Sequence, residues 1–126
     1  MQIFNNFPTL YDKKRADIMK HTVIGLVENV KICRRTYKAR IDTGAKRCSI
    51  DKTIARKLGL GPIIKTAKVK SVHGESERPV VKTTVTIKNR TFNATFNLAD
   101  RKEMSYPVLI GRNVLKHGFL IDTMKQ

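Results

Sequence analysis

A chain of 126 residues has room for one domain and one core, and 40% hydrophobic content without tryptophan is ordinary for a soluble globular protein. No apolar run approaches the roughly 18 residues of a membrane span, and Met1-Gln2-Ile3-Phe4-Asn5-Asn6 lacks the basic-then-apolar order of a signal peptide, so a cytoplasmic location and no membrane partner are expected. The formal charge of +16 attracts polyanions, but lysines and arginines run through the whole chain with neither zinc-finger spacing nor an aromatic-rich basic ribbon, so nucleic acid is not the favoured partner and a lysine-rich surface explains the charge about as well.

Residues 1–21 are polar and weakly patterned, an N-terminal extension ahead of a domain over 22–126; within it, 11–19 fits either one short helix or a loose segment. Residues 22–33 are rich in β-branched types and predict a strand, and 36–42 predict another, in which Tyr37, Ala39 and Ile41 alternate with Lys38 and Arg40. That alternation puts Ile41 and Asp42 on opposite faces. Cys33 and Cys48 suit a reducing compartment as structural thiols. Asp51 is placed to cap a helix carrying Ile54, Ala55 and Leu58 on one stripe, with Gly59 as its stop and Pro62 against continuation. Residues 63–72 and 79–88 form two extended runs joined by His73-Gly74-Glu75-Ser76-Glu77, a long hairpin with a polar tip. After a turn at Asn89-Arg90, Phe92, Ala94, Phe96 and Leu98 alternate inward along 91–98. A charged loop over 99–105, a short buried strand at 108–110, a helical turn over 113–116 and a closing strand at 119–121 complete the chain. Many short strands and one or two brief helices predict a small, mostly-β closed barrel.

Two stretches carry chemistry. In Arg40-Ile41-Asp42-Thr43-Gly44-Ala45 an apolar strand end runs into a single Asp, backed by Thr and by a Gly where the chain must turn. In Pro107-Val108-Leu109-Ile110-Gly111-Arg112-Asn113 an apolar run meets Gly-Arg-Asn. Asp-Thr-Gly alone is also an ordinary turn sequence; its pairing with the second stretch makes it specific. Metal chemistry finds no support, because His21, His73 and His117 are isolated and the cysteines have no near partner. No Gly-rich Lys-Ser/Thr loop offers a cradle for ATP phosphates, so no cofactor is expected.

On these two stretches the chain resembles the retropepsin-like aspartic peptidases. More closely, it is similar to the RimB-like family that carries the name ATP-dependent zinc proteases and is associated with RimK-type ATP-grasp glutamate ligases. The resemblance is carried by Lys38-Ala39-Arg40-Ile41-Asp42-Thr43-Gly44-Ala45, Arg78-Pro79-Val80-Val81-Lys82, Leu98-Ala99-Asp100-Arg101, Tyr106-Pro107-Val108-Leu109-Ile110-Gly111-Arg112 and Phe119-Leu120-Ile121-Asp122. It implies an acid-protease barrel and a peptidase whose catalytic loop is Asp42, Thr43 and Gly44. It also implies structural or dimer-forming roles for Gly111, Arg112 and Asn113, with an ATP-grasp ligase as a potential partner.

Aspartic-peptidase chemistry needs two carboxylates that share a proton and hold one water. A single Asp-Thr-Gly supplies half of that, so Asp42 is expected to meet its copy in a homodimer. Asp122-Thr123 is no internal second half, since Met124 follows instead of Gly; Asp122 is expected to end the last strand. By the resemblance, Thr43 bonds its counterpart and the 72–77 tip, with His73, Gly74 and Glu75, covers the substrate; a rigid surface turn fits those residues nearly as well. Many viral retropepsins carry an Asp after Asp-Thr-Gly-Ala that pairs with the Arg of Gly-Arg-Asn. Lys46 stands there instead, followed by Arg47, which puts the interface role of Arg112 in doubt. Beside Ala45 these two cations would favour acidic substrates, in keeping with glutamate-tail ligases, or serve as solvated surface charges. The competing function is a non-catalytic basic module that regulates a glutamate ligase or docks on ribosome or nucleic acid.

Overall fold

The computed structural model describes residues 20–125; the element expected over 11–19 lies outside the described residues. In chain order the elements are β1 (Thr22–Ile24), β2 (Val27–Ile32), β3 (Arg35–Ile41), β4 (Cys48–Asp51), α1 (Lys52–Leu58), β5 (Lys65–Ser71), β6 (Gly74–Ile87), β7 (Arg90–Ala99), β8 (Val108–Ile110), α2 (Arg112–Leu115) and β9 (Phe119–Ile121).

A seven-stranded sheet runs β2-β3-β8-β4-β7-β6-β5, and a further pairing of β2 with β6 closes it into a barrel. Strand β5 stays outside that ring as the free arm of the β5–β6 hairpin. The mostly-β barrel expected from sequence is therefore observed. Its interior is filled by the inward positions of alternating strands. Val81, Val85 and Ile87 on β6, Ala94 and Phe96 on β7, and Val108 and Ile110 on β8 are all buried. Fully burying each of the larger of these side chains contributes about 1.5–3 kcal/mol.

The single strand expected over 22–33 is interrupted. Gly25 breaks it, because the chain end crosses there: a Cβ on Gly25 would lie 2.7 Å from the Lys125 carbonyl oxygen. Strand β1 consequently leaves the barrel and pairs in parallel with β9. Helix α1 follows its sequence signals. The Asp51 carboxylate accepts hydrogen bonds from the N–H groups of Thr53 and Ile54, and Gly59 closes the helix in a left-handed conformation (φ 68°). Strand β4, between the Asp-Thr-Gly turn and this helix, has no counterpart among the expected elements. It is four residues long and buried at every position, so no alternation betrays it. The hairpin tip is tighter than expected. Ser71 is in register with Gly74, so Glu75, Ser76 and Glu77 belong to β6 and only Val72 and His73 form the turn. The last strand ends at Ile121 with Asp122 next, as expected, and the Asp122 carboxylate accepts the N–H of Met124 at 2.9 Å. Among the described residues no helix is long and apolar enough to cross a membrane.

Candidate active site

Asp42 follows the last residue of β3, and β3 runs parallel to β8 with Ile41 opposite Ile110. The two loops that leave these neighbouring strands, residues 42–47 and 111–113, cross at once and are bonded to each other through the main chain. Asp42 N–H donates to the Ile110 carbonyl at 3.0 Å, Arg112 N–H to Ala45 O at 2.8 Å, and Asn113 N–H to Lys46 O at 3.2 Å. Gly111 sits at the closest approach. A Cβ there would lie 2.7 Å from the carbonyl carbon and oxygen of Arg47 and 2.9 Å from Ala45 O, so only glycine fits. The Asp-Thr-Gly and Gly-Arg-Asn stretches of the sequence are thus one structural unit.

Side chains fasten the same crossing. Asn113 accepts the Cys48 N–H at 3.0 Å and donates through Nδ2 to the Thr95 carbonyl at 3.0 Å, tying α2 to β4 and β7. The buried Cys48 thiol donates to Asn113 Oδ1 at 3.3 Å and accepts the Gly111 N–H at 3.4 Å. Burial pushes this thiol up to about 12, outweighing the Gly111 and Cys48 backbone N–H groups that favour thiolate, so it stays protonated and structural. Cys33 is also free but exposed, at the turn between β2 and β3. Arg112 donates through Nη1 to the Thr43 carbonyl at 2.9 Å. With Lys46 in place of an acidic residue, the guanidinium holds the main chain of the Asp-Thr-Gly loop itself.

The Asp42 carboxylate is half-buried and oriented from below: Oδ1 accepts the Gly44 N–H at 2.9 Å. A cavity of about 400 Å³ borders it. The loop contributes Gly44, Ala45, Lys46 and Arg47, the barrel contributes Ser49, Asn97 and Leu109, and residues 68–71 of β5 with Arg78 of β6 form the hairpin wall. Arg101 and Arg112 complete it, leaving Asp42 as the one carboxylate among the described lining residues. Lys68 and Lys70 stand opposite Glu77 and Glu75 in the hairpin register, which offsets their charge. The excess positive charge of the cleft therefore comes from Lys46, Arg47, Arg78, Arg101 and Arg112.

Of the residues singled out from sequence, Asp42, Gly44, Ala45, Lys46, Arg47 and Arg112 line this one cavity. Thr43 is exposed beside it, and Gly111 and Asn113 lie beneath it in the crossing. His73, Gly74 and Glu75 sit exposed at the hairpin tip, outside the lining; the hairpin reaches the cleft through 68–71 and Arg78 instead. Sequence reasoning passed over Arg78, Arg101, Ser49 and Asn97. Both arginines lie in segments that carry the family resemblance, which was the available signal. Arg101 belongs to a stretch expected to be a charged loop, yet it is 8% exposed. Among the described residues no group of three or more His, Cys, Asp or Glu is placed to hold a metal ion.

Comparison with known proteins bears on the fold and the family. None of the curated proteins matches the chain. Among solved structures, the crystal structure of Lpg0085, a Legionella pneumophila protein of unknown function, matches at a TM-score of 0.61 and 23% identity, covering 82% of this chain and 94% of that one. At that identity the likeness speaks for the fold alone. The model of the RimB-like family, described as retropepsin-like aspartic endopeptidase RimB, matches residues 51–126, which takes in the Gly-Arg-Asn loop and begins beyond Asp42-Thr43-Gly44. The chain belongs to the RimB-like family of retropepsin-like aspartic endopeptidases.

Proposed function

We propose that this protein is an aspartic endopeptidase that works as an isologous homodimer, each copy supplying Asp42 to a shared catalytic pair. Two carboxylates that close cannot both ionise, so they share one proton and titrate as a unit. The ionised member takes a proton from a water held between them. The protonated member donates to the carbonyl oxygen of the scissile bond while the water oxygen attacks its carbon. Collapse of the tetrahedral intermediate breaks the C–N bond, and the departing nitrogen takes the proton.

The environment of Asp42 carries this reading. Its carboxylate faces a cleft large enough for peptide side chains, is oriented by the Gly44 N–H at 2.9 Å, and has no second carboxylate among the described residues lining that cleft. In this reading the partner acid comes from another copy. In that assembly Thr43, exposed next to Asp42, is free to bond its counterpart. The basic lining favours an acidic or glutamylated protein tail as substrate, with Lys46 and Arg47 beside the catalytic loop.

The test is Asp42→Asn, which keeps the side-chain shape and removes the ionisable group. Cleavage of a glutamate-rich peptide should fall by at least about 10³-fold, in the range of lost general acid–base catalysis, with an unchanged circular dichroism spectrum. Sedimentation should give the mass of two chains. Undiminished cleavage, or full activity in a strict monomer, would remove the proposal.

The cation excess of the cleft also favours a second reading, a non-catalytic basic module that holds a polyanion. That reading predicts RNA or ribosome binding that weakens steeply with salt, the mark of counterion release, and is untouched by Asp42→Asn.

A further inference from the structure

A buried guanidinium without an anion is an expensive thing for a protein to keep. Arg101, in the loop after β7, is 8% exposed and borders the Asp42 cleft. Its Nε donates to the Tyr106 carbonyl at 3.0 Å. Among the described residues neither of its terminal nitrogens has a hydrogen-bond partner, and no carboxylate lies within ion-pair distance. The Asp51 carboxylate is used otherwise: Oδ1 accepts the Arg101 backbone N–H at 2.8 Å, and Oδ2 caps α1. The surroundings make matters worse for the charge. Burial, with Arg78 and Arg40 close by, lowers the affinity of the Arg101 guanidinium for its proton, and Asp42 and Asp51 offset this only in part.

Three further groups converge on the same place. Ser49 and Asn97 are neighbours across β4 and β7, both buried and both lining the cleft. Ser49 is 3% exposed and its hydroxyl has no hydrogen-bond partner among the described residues, a state that costs about 1–3 kcal/mol unless a ligand or water meets it. Asn97 Oδ1 accepts from Arg78 Nη1 at 3.4 Å, which holds the second guanidinium toward the site. Two arginines and an unmet hydroxyl, all lining a cleft, supply what a carboxylate needs: opposite charge and several donors around two oxygens.

We infer that Arg101, Arg78 and Ser49 form a carboxylate subsite beside Asp42, which seats one carboxylate of the bound peptide in a fixed position. This rests on the peptidase reading for its purpose but not for its existence. It differs from a diffuse preference for acidic tails, because a point contact selects one position in the peptide. The carboxylate comes from a glutamate or aspartate side chain next to the scissile bond or from the end of the chain. The chemistry is shared, and the two sources are separable.

The direct test is a titration of the full-length protein followed by the ¹⁵N resonances of the arginine Nε–H groups. Three probes are used: N-acetyl-glutamate α-amide, N-acetyl-glutamine α-amide and N-acetyl-alanine. The glutamate probe should shift the Arg101 and Arg78 signals and saturate on the order of 30-fold below the glutamine probe, the worth of one or two charge-assisted hydrogen bonds. Saturation by N-acetyl-alanine as readily as by the glutamate probe assigns the site to a chain end; its failure assigns it to a side chain. Equal response to the glutamine probe, or no response to either carboxylate, overturns the subsite.

Where the titration assigns a side chain, peptides that differ by one glutamate or glutamine beside the cleavage site then separate the two proposals; where it assigns a chain end, peptides with a free or amidated C-terminus take their place. A protein that binds the glutamate probe but cleaves nothing loses the peptidase reading and keeps the subsite. Equal kcat/KM for both members of the matching pair does the reverse. Arg101→Gln should abolish the discrimination. Since that change also removes the bond to Tyr106, Arg78→Met on the half-exposed hairpin serves as the second variant, with an expected loss of about tenfold in the glutamate-to-glutamine ratio. An unchanged ratio in a folded Arg78→Met protein sinks the assignment.

Discussion

The crossing under Asp42 and the hairpin beside it stand on the same sheet but are held in opposite ways. At the crossing, backbone groups of two loops are bonded to each other, Gly111 lets them approach closely, and Asn113 and Cys48 fasten them to β4 and β7. In the β5–β6 hairpin the ladder from Lys65–Val80 to Ser71–Gly74 is the main support. Among the described residues no strand flanks β5 on its other side, and Val72 at the tip is 95% exposed. The contrast separates two tasks. Under the proposed function, the Asp42 carboxylate must be held within a fraction of an ångström, whereas a wall that admits a peptide belongs at the low-stability end of the structure.

The comparison breaks hardest at Gly111. Gly111→Ala drives a methyl group to within 2.7 Å of the Arg47 main chain, which is backbone and cannot swing away. The expected loss is about 3 kcal/mol of stability, at the upper end of overpacking effects, and with it most activity, since the loop that moves carries Asp42. Denaturant unfolding measures the first and peptide cleavage the second. A variant of wild-type stability would mean that the crossing is far more compliant than its hydrogen bonds suggest.

Asn113→Ala is the next step down. It strands the N–H of buried Cys48 and the carbonyl of half-buried Thr95. One buried unmet group costs about 1–3 kcal/mol, so about 2 kcal/mol is expected by urea unfolding. Asn113→Asp sharpens the result, because it keeps the acceptor for Cys48 but turns an oxygen, and a charge, toward the Thr95 carbonyl. A smaller loss than in Asn113→Ala would place most of the energy in the Cys48 bond.

How far this division was visible beforehand depends on whether neighbours in space have a local signature. Asp42-Thr43-Gly44 and Gly111-Arg112-Asn113 were legible because each has its own turn chemistry, and the barrel followed from the alternation of strands such as Phe92 to Leu98. Strand β4 was not, because Cys48–Asp51 is buried at all four positions and shows no period. The break at Gly25 was hidden in a continuous apolar run, its cause lying a hundred residues away at Lys125. Arg101 was hidden differently. A charged residue in a charged loop reads as solvated, and only the packing of that loop against Asp51 and Tyr106 buries it.

The gentlest perturbation falls at the other end of the comparison, on Val72. An apolar side chain left almost wholly in water at a hairpin tip contributes little to the folded state. Val72→Ser should therefore change stability by no more than about 0.5 kcal/mol. If β5–β6 covers bound substrate, the same residue supplies apolar contact once a peptide or a second copy lies beneath it. The expected signature is a KM raised by roughly threefold, the worth of part of one buried methyl group, with kcat unchanged, because a wall contact made equally in ground and transition states alters binding alone. A drop in melting temperature would instead show that the tip is packed in solution. Unaltered KM would make the hairpin a fixed rim, with all its influence on substrate passing through Arg78 and residues 68–71.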